Sequence, residues 1–152
     1  MIGNGGHASV VREIRGDVNI IAVGDNAKRR QIALEHEGMR PNMFYDTVIH
    51  PSAVISSSAI IGIGTAIMAG AVVQAGARIG KHCIINTCAS VDHDCIIGDY
   101  AHIAPGAHLC GHVEVGEGAL VGVGVGIAPM CKVPAWTLVK ARRLEMEPLY
   151  AV

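Results

Sequence analysis

From Ile49 to Val133 every sixth residue is aliphatic: Ile49, Ile55, Ile61, Ile67, Val73, Ile79, Ile85, Val91, Ile97, Ile103, Leu109, Val115, Val121, Ile127 and Val133. A column of small residues stands two positions before each later member, from Ala53, Ala59 and Thr65 through Cys83, Cys95 and Val113 to Cys131. Residues two apart in a strand share a face, so each pair sends one small and one larger side chain inward. A helix would repeat near 3.6 and a plain strand near 2, and neither fits. An unbroken six-residue repeat predicts a parallel β-helix, in which three hexads close one triangular coil of about 18 residues. Ile49 to Val133 then makes between four and five coils, and Thr137 and Val139 keep the phase once more. Gly62, Gly80, Gly98, Gly116 and Gly122 directly follow the aliphatic residue. They are expected to supply corners of unusual φ.

The chain before the coils has a different texture. Gly3-Asn4-Gly5-Gly6-His7-Ala8-Ser9-Val10-Val11 reads as a glycine loop entering a helix, either a plain tight turn or a phosphate cradle. Asp17 to Val23 predicts a buried strand, and Gly24-Asp25-Asn26 a capping turn. A helix is expected over residues 27–36, with Gly38 as its stop and Pro41 to Thr47 as linker. This divides the chain into a small α/β unit over residues 1–46, the coils over 47–140 and a tail over 141–152. A unit of about forty residues buries little core alone, so it should lean on the coils or on a neighbouring subunit. Lys28, Arg29 and Arg30 read as a solvated helix face, with a diphosphate contact as the functional alternative. Lys140, Arg142 and Arg143 form a basic end that caps the last coil or meets cofactor phosphates.

Composition narrows the function classes. A formal net charge of −1 gives no electrostatic case for nucleic acid. Aromatics at 3% suit a narrow interior of Val, Ile and Ala. The most apolar run, Ala119 to Pro129, is cut by Gly122, Gly124 and Gly126 and is too short to span a bilayer. Met1-Ile2 cannot form the apolar region of a signal peptide, so a soluble cytoplasmic protein without membrane partners is expected. Cys83, Cys95 and Cys131 fall in the small inward column, while Cys88 and Cys110 lie off it. No CxxC spacing indicates zinc or a disulfide framework.

The densest polar cluster is Asn86-Thr87-Cys88-Ala89-Ser90-Val91-Asp92-His93-Asp94-Cys95. His93 follows an inward aliphatic by two residues and so projects from a corner. Gly111 stands one coil above it, which places the imidazole beneath that residue's backbone N–H. A base and an oxyanion donor on one edge are what acyl transfer needs. Asp94 could orient the ring, and Asp92 is its rival. His82, His108 and His112 read as surface residues.

The block Ser90-Val91-Asp92-His93-Asp94-Cys95, with Ile97-Gly98-Asp99-Tyr100-Ala101-His102-Ile103-Ala104-Pro105-Gly106-Ala107 after it, resembles the sialic-acid O-acetyltransferase and nucleotide-amino-sugar N-acetyltransferase family of hexapeptide-repeat acyltransferases. Gly3 to His7, Ala22-Val23-Gly24-Asp25-Asn26 and His50-Pro51-Ser52-Ala53 resemble that family's sugar-nucleotide domain and the start of its β-helix. The resemblance implies an all-β main domain, a left-handed parallel β-helix, carrying a small abbreviated α/β N-terminal domain. It implies acetyl-CoA as co-substrate, no metal, and a homotrimer with active sites between subunits. His93 would be the general base and Asp94 its assistant. Asn86 and His102 would lie near the reacting groups, and Gly111 would bind the thioester oxygen. Gly5, His7, Asp25, Asn26 and Arg29 would hold the nucleotide. Gly111, Gly122, Gly124 and Lys140 would line the CoA cleft. The expected reaction is N-acetylation of a nucleotide-linked 4-amino sugar without a covalent intermediate, with sialic acid O-acetylation as the alternative. A γ-type carbonic anhydrase, with zinc held by three histidines across a trimer interface, is a different class, for which His102, His108 and His112 crowd one region. There the Asp-His-Asp-Cys block would have no task. A non-catalytic scaffold is a third class, and the intact polar cluster speaks against it.

Overall fold

The computed structural model describes residues 2–3, 5–15, 18–39 and 44–141. Asn4 of the glycine loop, Asp17, Arg40 with the front of the linker at 41–43, and Arg142, Arg143 and the remaining tail lie outside the described residues.

Among the described residues sixteen two-residue strands follow one another at six-residue intervals and form three parallel sheets. The first sheet holds β1 (Val48–Ile49), β4 (Ala66–Ile67), β7 (Ile84–Ile85), β10 (His102–Ile103), β13 (Leu120–Val121) and β16 (Leu138–Val139). The second holds β2 (Val54–Ile55), β5 (Val72–Val73), β8 (Ser90–Val91), β11 (His108–Leu109) and β14 (Gly126–Ile127). The third holds β3 (Ile60–Ile61), β6 (Arg78–Ile79), β9 (Ile96–Ile97), β12 (Glu114–Val115) and β15 (Lys132–Val133). Each strand pairs with the strand three later, so residues 18 apart stack: Ile67 on Ile85, Ile85 on Ile103, Ile103 on Val121. The result is five coils and one further strand, slightly more than expected.

The two inward columns make the core. From Ile67 upward the aliphatic column is buried, and so are Ala71, Ala77, Cys83, Ala89 and Cys95 of the small column. Ile55 and Ile61 are only partly buried and Ile49 is exposed, since no complete coil lies beneath them. In β1 the buried residue is Val48, on the outer face, because the N-terminal unit covers that side.

The corners differ from the expectation by two residues. Gly62, Gly80, Gly98, Gly116 and Gly122 do not carry the left-handed backbone. It falls at every sixth position from Gly64 to Trp136, and seven of these residues are not glycine: His82, Cys88, Asp94, Tyr100, His112, Met130 and Trp136. Each non-glycine case costs about 1–2 kcal/mol of backbone strain. A repeated bond offsets it: the N–H of each such residue from His82 on donates to the carbonyl 19 positions earlier, as His112 does to His93 at 3.0 Å. Gly62, Gly80 and Gly98 are small for another reason, the close approach of the next coil. A Cβ on Gly98 would stand 2.6 Å from the Glu117 nitrogen.

The N-terminal unit has two helices, α1 (Gly6–Arg15) and α2 (Asn26–Met39). The strand expected over 17–23 is reduced to one parallel bridge between Ile2 and Ile21, because the opening segment offers a single pairing residue. Asp25 caps α2 by accepting the Lys28 N–H at 2.7 Å. The helix runs on through Gly38. Ala8, Val11, Val18, Ile20 and Ala22 pack on the outward-facing Val48, Ala66, Met68 and Ile84 of the first sheet. The unit therefore leans on its own β-helix.

Arg29 fastens this contact, and the solvated face expected there is corrected. It is 1% exposed. Its five N–H groups reach the carbonyls of His82, Val23, Gly24 and Tyr100 and the Asn26 Oδ1 at 2.7–3.2 Å. Burial lowers its pKa to about 10, which leaves the charge in place at neutral pH. Asn26 completes the clamp by donating Nδ2 to the carbonyls of Gly118 and Ala119. Arg30 does face solvent, bonds Glu117 at 3.0 Å and lies over Trp136. His82, expected on the surface, is fully buried beneath the unit with neither ring nitrogen bonded. It stacks on Tyr100 and meets Tyr45 edge-on.

Two predictions follow from this packing. Arg29→Ala strands the carbonyls it served and should cost about 3–5 kcal/mol in urea unfolding; a loss below about 1 kcal/mol would contradict the clamp. Burial, then the positive Lys81 and Arg29, hold the His82 pKa near 4, against 6.5 for the free side chain. Between those values the unfolded chain takes a proton that the folded one refuses. This contribution is complete above pH 6.5 and lost as pH falls through that window, roughly 3 kcal/mol in all. His82→Phe should flatten the acid side of the stability-pH curve by about that amount.

Candidate active site

The polar block sits at the corner between the second and third sheets. β8 ends at Val91, and the turn Asp92-His93-Asp94-Cys95 leads to β9. Val91 and Cys95 are buried inward and anchor the turn, so His93 and Asp94 project outward. Asp94 takes the left-handed conformation, φ 59°, which aspartate tolerates better than most residues. Its Oδ2 lies 2.9 Å from Nδ1 of His93. That bond selects the tautomer with the proton on Nδ1 and leaves the Nε2 lone pair free. The ring's partner is thus Asp94, not Asp92.

The corner one coil above is Cys110-Gly111-His112-Val113. Gly111 lies against the exposed edge of the imidazole: a Cβ there would stand 2.6 Å from both Cε1 and Nε2 of His93. His112 repeats the left-handed position of Asp94, φ 60°. Its ring meets that of His93 edge-on, with centroids 5.2 Å apart, and its Nε2 is 3.9 Å from Asp94 Oδ2. His112 is exposed, as expected, and it also packs on the candidate pair. The coil count that placed Gly111 over His93 also places His112 over Asp94. Among the described residues, His93, Asp94 and His112 form the group able to share a cation, with ligand atoms all within 4.8 Å. Within one chain His102, His108 and His112 do not converge: His102 bonds Asn86, His108 bonds Ser90 at 2.9 Å, and His112 lies on His93.

A second polar cluster forms where α1 meets the β-helix. Asn86, in the turn after β7, donates Nδ2 to Nε2 of His102 at 3.0 Å, while its Oδ1 accepts the Thr87 N–H. A contact with the backbone of Gly24 favours the protonated His102 ring, but it is the smallest influence there. Burial, followed by Arg29 and His7, pushes the His102 pKa down to about 3, so this ring stays neutral. His7, in the first turn of α1, meets it edge-on at 5.5 Å. Burial and Arg29 lower the His7 pKa as well. Gly6, His7, Val10, Met68, Asn86 and Thr87 line a cavity of about 400 Å³. Gly5 accepts the N–H groups of Ala8 and Ser9 and opens α1 beside it.

The expected site residues thus fall into separate places. His93, Asp94 and Gly111 come together at one corner. Asn86, His102, His7 and Gly5 gather near another, between the first and second sheets. Gly122 and Gly124 stand on that second corner two coils above Asn86, and Lys140 follows β16 on the same side. Asp25, Asn26 and Arg29, expected at a nucleotide, are engaged in capping and clamping the N-terminal unit. No helix among the described residues is long and apolar enough to cross a membrane.

Comparison with known proteins adds three findings. Residues 94–129 match the bacterial transferase hexapeptide family (six repeats). GDP-perosamine N-acetyltransferase of Escherichia coli O157:H7 is 36% identical over 81 residues, 53% of this chain and 37% of that protein. The chain therefore spans little more than a third of this curated relative. Solved structures match far more fully. PerB from Caulobacter crescentus, in complex with CoA and GDP-perosamine, superposes with a TM-score of 0.90 at 33% identity, covering 97% of this chain and 88% of that one. The acetyltransferase domain of PglB from Neisseria gonorrhoeae FA1090, in complex with acetyl coenzyme A, gives 0.80 at 32% identity, covering 92% and 94%. The coils are those of a left-handed parallel β-helix. With a third of its residues shared across almost the whole length of such a structure, the chain belongs to the hexapeptide-repeat acyltransferases, in the group that includes the nucleotide-amino-sugar N-acetyltransferases.

Proposed function

We propose that the protein transfers acetyl from acetyl-CoA to the amine of a nucleotide-linked amino sugar, with His93 as general base. The observation that carries this is the His93–Asp94 pair set against Gly111, in a chain one third identical to a protein crystallised with CoA and GDP-perosamine. The amine nitrogen attacks the thioester carbonyl while Nε2 of His93 takes its proton. Asp94 holds the ring and stabilises the imidazolium that forms. The Gly111 N–H, on the same edge, serves the oxygen that gains charge. Collapse of the tetrahedral intermediate breaks the carbon–sulfur bond, and the imidazolium returns its proton to the leaving thiolate. No cysteine is acylated. His102 is unsuited to be the base, since its Nε2 is held by Asn86.

The acceptor class rests on the relatives' amino-sugar substrates, which favour an amine over the sialic acid hydroxyl. The cavity beside His7, Asn86 and Thr87 fits the sugar-nucleotide side, with residues 1–46 as that module and 47–140 as the acetyltransferase domain. In one chain this cavity and His93 lie on different corners. A homotrimer would bring one copy's His93 corner to the next copy's Asn86 corner, with Gly122, Gly124 and Lys140 along the CoA cleft. The proposed location is the cytoplasm.

Thiol release from acetyl-CoA with UDP-, GDP- and dTDP-linked amino sugars tests the reading. His93→Ala should lower turnover by about 10²–10⁴-fold with the melting temperature unchanged. Wild-type rates in that variant would remove His93 from the mechanism. Gly111→Ala should also be slow, by about 10²-fold, because its methyl displaces the ring edge that carries Nε2. Full activity there would mean the reaction does not occur beneath Gly111.

A further inference from the structure

We infer that His112 is a positioning residue for this reaction, holding the His93–Asp94 pair in the geometry that presents Nε2 at Gly111. The inference rests on the acetyl-transfer reading for its kinetics and on geometry for its placement. His112 stands one coil above Asp94 in the same corner column, with the same left-handed backbone. Its own N–H donates to the carbonyl of His93 at 3.0 Å, so the backbone of the two corners is joined at these residues. Its ring covers His93 edge-on at 90°, a favourable aromatic arrangement. Its Nε2 faces the same carboxylate oxygen that bonds His93, at 3.9 Å. Asp94 Oδ2 therefore lies between two imidazoles.

Both side chains of the base pair are more than half exposed in the single chain, 58% for His93 and 53% for Asp94. Nothing in the turn beyond the bond to Asp94 fixes the χ angles of His93. A ring free to rotate would spend much of its time away from the thioester, and a misplacement of about 1 Å costs about 10²-fold in rate. His112 restrains that rotation from above, and it restrains the carboxylate that sets the tautomer.

His112→Gly is the informative variant, since it removes the ring and relieves the backbone. Its melting temperature should be equal to or above that of the wild type, while kcat falls about tenfold with KM for acetyl-CoA and the sugar nearly constant. His112→Asn, which tolerates the same backbone and keeps a polar side chain above Asp94, should recover part of the loss. In a double-mutant cycle with Asp94→Asn the effects should be clearly less than additive, because His112 acts through Asp94 and His93. Imidazole ¹⁵N NMR of the protein without substrate gives a readout independent of turnover: in His112→Gly the His93 signals should move from the pure Nδ1–H tautomer toward a mixture. Unchanged kcat and an unchanged tautomer would overturn the inference. A raised KM with kcat preserved would also overturn it, by making His112 a substrate contact. If the wild type acetylates no amino sugar yet the tautomer shift is seen, the acetyl-transfer reading fails and the positioning role stands.

Discussion

The hydrogen bond that rises from each corner to the one below sets everything else in this molecule. It runs from a left-handed residue to the carbonyl 19 positions earlier, beside strand ladders whose residues stack 18 apart. Together they fix which residue lies over which, with no freedom to slip, because a slip of one residue would turn the aliphatic column outward. Gly111 over His93 and His112 over Asp94 are direct products of that register. The geometry of this corner is thus a property of the coil repeat and needs no long loop to build it.

The N-terminal unit follows a different principle. Too small for a core of its own, it shares the first sheet's outer face and is locked by a buried guanidinium whose donors are all used. The same docking brings His7 to His102 and makes the cavity beside Asn86. Docking therefore shapes the cavity: Asn26 and Arg29 fasten the unit that carries His7 to the β-helix.

Much of the fold was legible because the hexads are a covalent record of the coil. The sheets, inward cysteines, His93 beneath Gly111, and a glycine loop opening a helix could all be counted off. The corners were misread because two glycine columns serve different ends, one for positive φ at Gly64, Gly70 and Gly76, the other for close backbone approach at Gly62, Gly80 and Gly98. The first column also carries His82, Tyr100 and His112, which hid its period. Arg29 and His82 were misplaced because burial at a docked interface leaves no mark in a short amphipathic helix or a turn. His112 was within reach of the same arithmetic that found Gly111, applied one residue further along.

The central claim is that the corner holding His93 moves an acetyl group onto nitrogen. Mass spectrometry of the products after incubation with acetyl-CoA and nucleotide-linked amino sugars tests it most directly. The wild type should add one acetyl group to an amino-sugar nucleotide as an amide that survives neutral hydroxylamine, and His93→Ala should not. An ester removed by hydroxylamine, or the same amide made at equal rate without His93, would contradict it.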